Sequence, residues 1–280
     1  LAEALKQFDF LLSLLLKPEH LPEVSYRILH DHYLQGVRIC ELRFAPQQHQ
    51  PAMSMEEAVE AVIKGINQAK QEHPDLCCGV LLCMMVMGDA TNYDDNKKTV
   101  ELCKKYQNQG VIGLDLAGAE GSKPMASFGY LFDYAKELGV PFTAHACESC
   151  PAENVQYIID KGATRVGHGV LCVTDDKVVE NVIQSGITME VSVTSNIFAK
   201  TFDSYDNHPV KRLLDAGAKI NINTDDPFLL DITLDSEYEM LKEKFNFTER
   251  DLILTNLYGA QASFCEGTKP YIEQLENLLR

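Results

Sequence analysis

The chain of 280 residues has no surplus of basic charge: 41 acidic side chains stand against 25 basic ones, a formal net charge of −16 at pH 7. An acidic surface of this kind repels a phosphate backbone and an anionic lipid surface, so neither nucleic acid nor membrane is an expected partner. Long hydrophobic runs are also missing. The longest, Phe8 to Leu16 and Gly79 to Gly88, fall well short of the roughly 20 residues that a membrane-spanning helix needs, and no signal-peptide pattern is present. A cysteine framework is missing as well. The nine cysteines, at 40, 77, 78, 83, 103, 147, 150, 172 and 265, sit mostly inside apolar runs, as buried reduced thiols of a cytoplasmic protein do. No linker, repeat or low-complexity segment divides the chain, so residues 1–280 read as one domain.

What is present is a regular alternation. Leu5, Phe8, Leu12, Leu15 and Leu16 recur at helical spacing until Pro18, and Val24 to Gln35 repeats the pattern up to Gly36. Seven short apolar runs follow: Val37–Ala45, Cys77–Met85, Val111–Gly118, Val140–Cys147, Thr164–Val170, Ile187–Val193 and Ala218–Asn223. Amphipathic stretches lie between them, at Met55–Gln71, Tyr93–Gln107, Ser127–Leu138, Ala152–Lys161, Lys177–Ser185 and Pro209–Ala216. Strand, helix and strand repeated in this way predict an α/β fold with a parallel sheet and helices outside it. Pro151 suits a first helical position, and Thr248 with Asp251 suits a capping box. A barrel places its chemistry at the carboxyl ends of the strands, and nearly every run here ends in polar residues, which favours a barrel over the rival open doubly wound sheet.

Those ends supply Asp115 and Gly118, His145 and Glu148, His168, Ser195 and Asn196, and Asp225 with Asp226. One histidine in an apolar run is ordinarily a hydrogen-bonded core residue. Several ionisable groups at one end are different, because each costs several kcal/mol when buried without a metal or substrate to pair it. Asp225 and Asp226 also fit a helix N-cap, which explains one aspartate better than two. Cys147 and Cys150 have redox-dithiol spacing, but a thioredoxin-like unit is far smaller than this array. His30 and His32 form the only His-x-His pair. They fall in a helical pattern, where their side chains diverge by roughly 200°, so they are rejected as a ligand pair. His20, His49, His73 and His208 fall in loops or at helix ends and read as solvated, with His49 a minor candidate for the mouth.

Six motifs in order, Glu41-Leu-Arg-Phe-Ala-Pro46, Asp115-Leu-Ala-Gly118, His145-Ala-Cys-Glu148, Gly167-His-Gly169, Thr194-Ser-Asn196 and Asn223-Thr-Asp-Asp-Pro227, make the chain resemble the adenosine deaminase family, closest to its bacterial branch. The resemblance runs from the first helix to the end of the chain. It implies a (β/α)8 TIM-like barrel of the metal-dependent hydrolase type, a single α/β-barrel deaminase domain whose first strand is missing from the chain. It implies one Zn2+ per chain held by His145 and Asp225, with two further histidine ligands expected from a segment upstream of Leu1. It also implies Glu148 as the proton carrier to purine N1, His168 beside the hydroxide that attacks C6, and Gly118 and Asp226 as contacts to the purine. The expected partner is a small-molecule purine nucleoside. The expected reaction is hydrolytic deamination of adenosine, and of 2'-deoxyadenosine, to inosine-type product and ammonia. Alternatives are another 6-substituted purine as substrate, or a metal-free purine-binding relative. The family's His-Ala-Gly-Glu has Cys147 in place of glycine, which predicts a narrower pocket or a thiol-sensitive enzyme.

Overall fold

A computed structural model describes residues 10–88 and 92–280. The described backbone forms two compact units, one from the residues up to Phe142 with Ser263–Thr268, the other from Thr143–Ala262 with Lys269–Arg280. The part of the first helical run at positions 1–9 lies outside the described residues.

The first unit alternates α1 (His20–Leu34), β1 (Ile39–Phe44), α2 (Met55–Glu72), β2 (Cys77–Val86), α3 (Tyr93–Tyr106), β3 (Val111–Gly118) and α4 (Gly129–Glu137). Its sheet has the order β1-β2-β3 and is parallel, with Ile39 opposite Cys77 and Val80 opposite Val111. Strand β2 is buried along nearly its whole length; a parallel strand with both faces covered reads as a continuous apolar run for this reason. Helix α2 starts on a capping box in which Ser54 and Glu57 satisfy each other's backbone N–H groups, and it buries Ala58, Val62, Ile66 and Ala69 at helical spacing. A buried amide cluster pins the far end of β2. Asn92 and Asn96 both donate to the Met85 carbonyl at 3.0 Å, Met85 N–H donates to Asn96 Oδ1 at 2.8 Å, and Gln47 Nε2 donates to the same oxygen at 2.8 Å.

The second unit continues with β4 (His145–Ala146), α5 (Glu153–Asp160), β5 (Arg165–His168), α6 (Asp176–Ser185), β6 (Thr188–Val191), α7 (Val193–Phe198), α8 (Val210–Asp215), β7 (Lys219–Ile222), α9 (Pro227–Leu230), α10 (Leu234–Phe245), α11 (Glu249–Ala262) and α12 (Lys269–Leu279). Its parallel sheet has the order β4-β5-β6-β7, with His145 opposite Gly167, Val166 opposite Met189 and Met189 opposite Ile220. A buried ion pair, Arg165 Nε to Glu190 Oε1 at 2.8 Å, ties β5 to β6, and Thr143 Oγ1 donates to the other Glu190 oxygen at 3.0 Å.

The described strands fall within the expected apolar runs, save that β2 extends one residue beyond its run, to Val86, and Thr248 and Asp251 form the expected reciprocal cap. Several details differ. The run Val140–Cys147 contributes only two residues, His145 and Ala146, to the sheet, and the chain leaves the ladder at Cys147, ahead of Glu148. Ser195 and Asn196 do not end a strand; β6 stops at Val191 and both residues sit in α7. Pro151 precedes the N-cap, Ala152, so the helix begins two residues after it. His49, His73 and His208 are buried rather than solvated, each held by packing that its flanking sequence does not announce. Among the described residues no helix is long and apolar enough to cross a membrane.

Candidate functional site

The second unit gathers His145, Glu148, His168, Asp225 and the helix carrying Ser195 and Asn196 at the carboxyl ends of β4 to β7. His145 stands beside His168, with ring centroids 5.0 Å apart. Gly167 eases this closeness: a Cβ there would lie 3.2 Å from His145 Nδ1, a tight contact from which the ring would have to give by a few tenths of an ångström. Glu148 is buried, and its Oε2 lies 3.8 Å from His168 Nε2; Asp225 Oδ2 lies 3.9 Å from the same nitrogen. These separations are too long for hydrogen bonds. Both carboxylates thus stand near the same His168 nitrogen. Ser195 Oγ donates to Asp225 Oδ2 at 2.7 Å and fixes that carboxylate.

The backbone is strained at the same place. Cys147, His168 and Asp225 have φ of 57°, 57° and 59°, in the left-handed region that L-residues other than glycine enter at a cost. Strained residues persist where the surroundings over-determine them, commonly at functional sites. The turn at Cys147 also corrects the expectation for its side chain. The thiol is fully buried, and Sγ donates to the Pro151 carbonyl at 2.9 Å, so it closes its own loop.

A hydrogen-bond chain sets the tautomer of His168. Val210 N–H donates to His208 Nδ1 at 3.3 Å, so that nitrogen carries a lone pair. Burial, with His168 close by, pushes the His208 pKa down to about 3, so the ring is neutral and its proton sits on Nε2. That Nε2–H donates to Asn196 Oδ1 at 3.1 Å, and Asn196 Nδ2 donates to His168 Nδ1 at 3.0 Å. A flipped Asn196 amide would set donor against donor at His208. The neutral His168 ring therefore carries its proton on Nε2, facing Glu148 and Asp225. A further anchor is Glu237, which accepts from both the hydroxyl and the backbone N–H of Thr194; burial raises its pKa. The sequence reading missed His208 and Glu237, since no spacing rule links either to the motif it supports.

Asp226 occupies the N-cap position of α9, yet its side chain makes no capping hydrogen bond, so the bland reading of this pair fails for it. In the first unit, Gly118 ends β3 with φ of 107°, and a Cβ there would lie 2.6 Å from the Val86 carbonyl oxygen, so no side chain fits. Asp115 is buried and accepts from Arg43 Nη1 at 3.0 Å, a paired carboxylate that ties β3 to β1 across the intervening β2. His32 turns back to its own helix, with Nδ1 2.8 Å from the Ile28 carbonyl oxygen, which agrees with its rejection as a ligand partner of His30.

A family model described as adenosine deaminase matches residues 1–273. The chain belongs to the adenosine deaminase family. An adenosine deaminase of Haemophilus ducreyi is 34% identical over 282 residues, which cover 99% of this chain and 81% of that protein. Among solved structures, an amidohydrolase of Burkhoderia ambifaria with bound Zn has a TM-score of 0.83 at 23% identity, over 94% of this chain and 76% of that one. Arabidopsis ADAL complexed with IMP has a TM-score of 0.85 at 23% identity, over 99% and 82%. These likenesses carry the fold class, an α/β fold of the (β/α)8 barrel type. Family membership carries the activity: hydrolytic deamination of adenosine. A metal cofactor accords with both findings. The chemistry of the donors suits zinc, which takes imidazole nitrogen and carboxylate oxygen, and Ser195 fixes one oxygen of Asp225.

Proposed function

We propose that His145 and Asp225 supply two of the ligands of one Zn2+, that Glu148 and His168 handle the protons of the reaction, and that Gly118 and Asp226 contact the purine of adenosine or 2'-deoxyadenosine. The observation that carries this reading is the pinned His168, whose Nε2–H lies between Glu148 and Asp225 at 3.8 and 3.9 Å. Zinc, when bound, supplies a water acidic enough to be a nucleophile at neutral pH. Glu148 gives a proton to purine N1, which makes C6 electrophilic, and recovers one as water adds its oxygen to C6. His168 donates from Nε2 to the attacking oxygen and orients it. Glu148 then passes its proton to the departing amine, the C6–N6 bond breaks and ammonia leaves, and Glu148 takes the hydroxyl proton as C6=O forms, which gives inosine and restores the protonated acid. Asp226 reads N7, and Gly118 offers backbone to the ring because no side chain covers it. The span 1–280 acts as one deaminase domain, and its free cysteines suit a cytoplasmic setting.

The test is ammonia release from adenosine, 2'-deoxyadenosine, adenine and AMP side by side, with metal analysis of the same sample. Zinc in the protein and adenosine or 2'-deoxyadenosine as the fastest substrate are expected. Turnover of adenine or AMP with none of adenosine would overturn the assignment.

A further inference from the structure

We propose that His30, Glu72 and His73 form a second metal site, one that takes Zn2+ or a similar divalent transition ion. Their ligand atoms all lie within 4.8 Å of one another. His30 Nδ1 is 3.0 Å from His73 Nε2 and 3.4 Å from Glu72 Oε1, and His73 Nε2 is 4.0 Å from Glu72 Oε1. Donors about 2.0–2.1 Å from a tetrahedral zinc stand about 3.3–3.4 Å apart, and the three separations bracket that edge. Small side-chain rotations bring all three donors onto one ion.

A single hydrogen bond at His30 Nδ1 serves only one of the groups that face it. His30 Nδ1 has either one proton or one lone pair to offer, yet it faces His73 Nε2, Glu72 Oε1 and the Tyr26 hydroxyl, the last at 3.4 Å. A cation satisfies the two imidazoles and the carboxylate at once. The outer partners also hold the donors in place, as supporting shells of metal sites do. Tyr26 donates to Glu72 Oε2 at 2.5 Å, which turns Oε1 toward the histidines. Tyr33 stacks on the His73 ring at 3.9 Å, is covered on its own account by Arg38 at 4.0 Å, and donates to Asp75 at 2.9 Å. Glu72 is half exposed, so solvent reaches the cluster and a water can complete the coordination. Two imidazoles and one carboxylate select zinc and its neighbours over Ca2+ or Mg2+, which prefer all-oxygen sites. The ion would join α1 to the end of α2, and none of its ligands belongs to the deaminase motifs.

The experiment is equilibrium dialysis of the full chain against buffered Zn2+, with the variants Glu72→Gln and His30→Gln, and thermal melts with and without the ion. Unvaried protein is expected to hold one zinc more than His30→Gln. Glu72→Gln should bind that ion at least about tenfold more weakly with adenosine deamination unchanged. Added zinc should raise the melting temperature of the unvaried chain and leave that of His30→Gln where it was. Equal zinc stoichiometry and affinity in the unvaried chain and Glu72→Gln would overturn the proposal; Glu72 is surface-placed, so this comparison stands even if His30→Gln does not fold.

Discussion

Replacing His208 by glutamine separates two consequences of burying a neutral imidazole. At pH 7 the variant keeps a donor for Asn196 Oδ1, since glutamine's amide reaches where Nε2–H was. It loses the acceptor for Val210 N–H and the edge contacts to Phe202 and Phe245, with centroids 4.9 and 6.1 Å away. That loss amounts to about 1–3 kcal/mol. Acid reverses the comparison. The folded His208 stays neutral down to about pH 3, whereas the unfolded chain takes up a proton below about pH 6.5. The unfolded state therefore binds more protons between those limits. Stability tied to this group is complete above about pH 6.5 and falls by about 1.4 kcal/mol per pH unit as pH drops toward 3. By pH 5 the loss is about 2 kcal/mol, a large share of an ordinary 5–15 kcal/mol total. The glutamine variant lacks this slope. Other groups titrate alike in both proteins and cancel in the difference. Urea unfolding of both proteins at half-unit steps from pH 7 to 4 should show the gap closing and reversing between about pH 6 and about pH 4.3. Parallel stability curves across that range would refute a neutral buried His208, and with it the tautomer deduced for His168.

Glu148→Gln should reduce turnover at least about a hundredfold while zinc content stays intact; near-normal steady-state turnover would remove it as the proton carrier. Asp225→Asn should lose zinc, and Asp226→Asn should keep it while weakening purine binding, so equal zinc loss in both would end the division between these neighbours. Cys147→Gly should stabilise the chain by about 1 kcal/mol, because glycine relieves the left-handed backbone at 57°; the thiol of the native enzyme, being buried, should react with alkylating reagents only on unfolding, and rapid labelling of the folded protein at Cys147 would contradict its burial. Glu190→Gln leaves Arg165 buried beside a neutral partner and should cost about 3–5 kcal/mol in denaturant unfolding, a loss that Arg165→Met together with Glu190→Leu should largely restore.

The order of strands and helices was legible in the sequence, because each element carries its own signal: a period of two or a solid apolar run, a period of 3.6, and a glycine, proline or capping residue at its end. The site was legible to the same depth. His145, His168 and Asp225 each close an apolar run, and a residue's place at the end of its own strand is local information. What the tertiary structure decided lies between elements. The pairing of Asn196 with His168 spans 28 positions, that of Thr194 with Glu237 spans 43, and that of His30 with His73 also spans 43. No periodicity encodes such meetings. His49, His73 and His208 looked like loop histidines because burial depends on what packs over a side chain, and the residues flanking it in sequence say little about that. The left-handed turns at Cys147, His168 and Asp225 were hidden for the complementary reason: their own residue types do not favour that backbone, and only the surrounding packing holds them there.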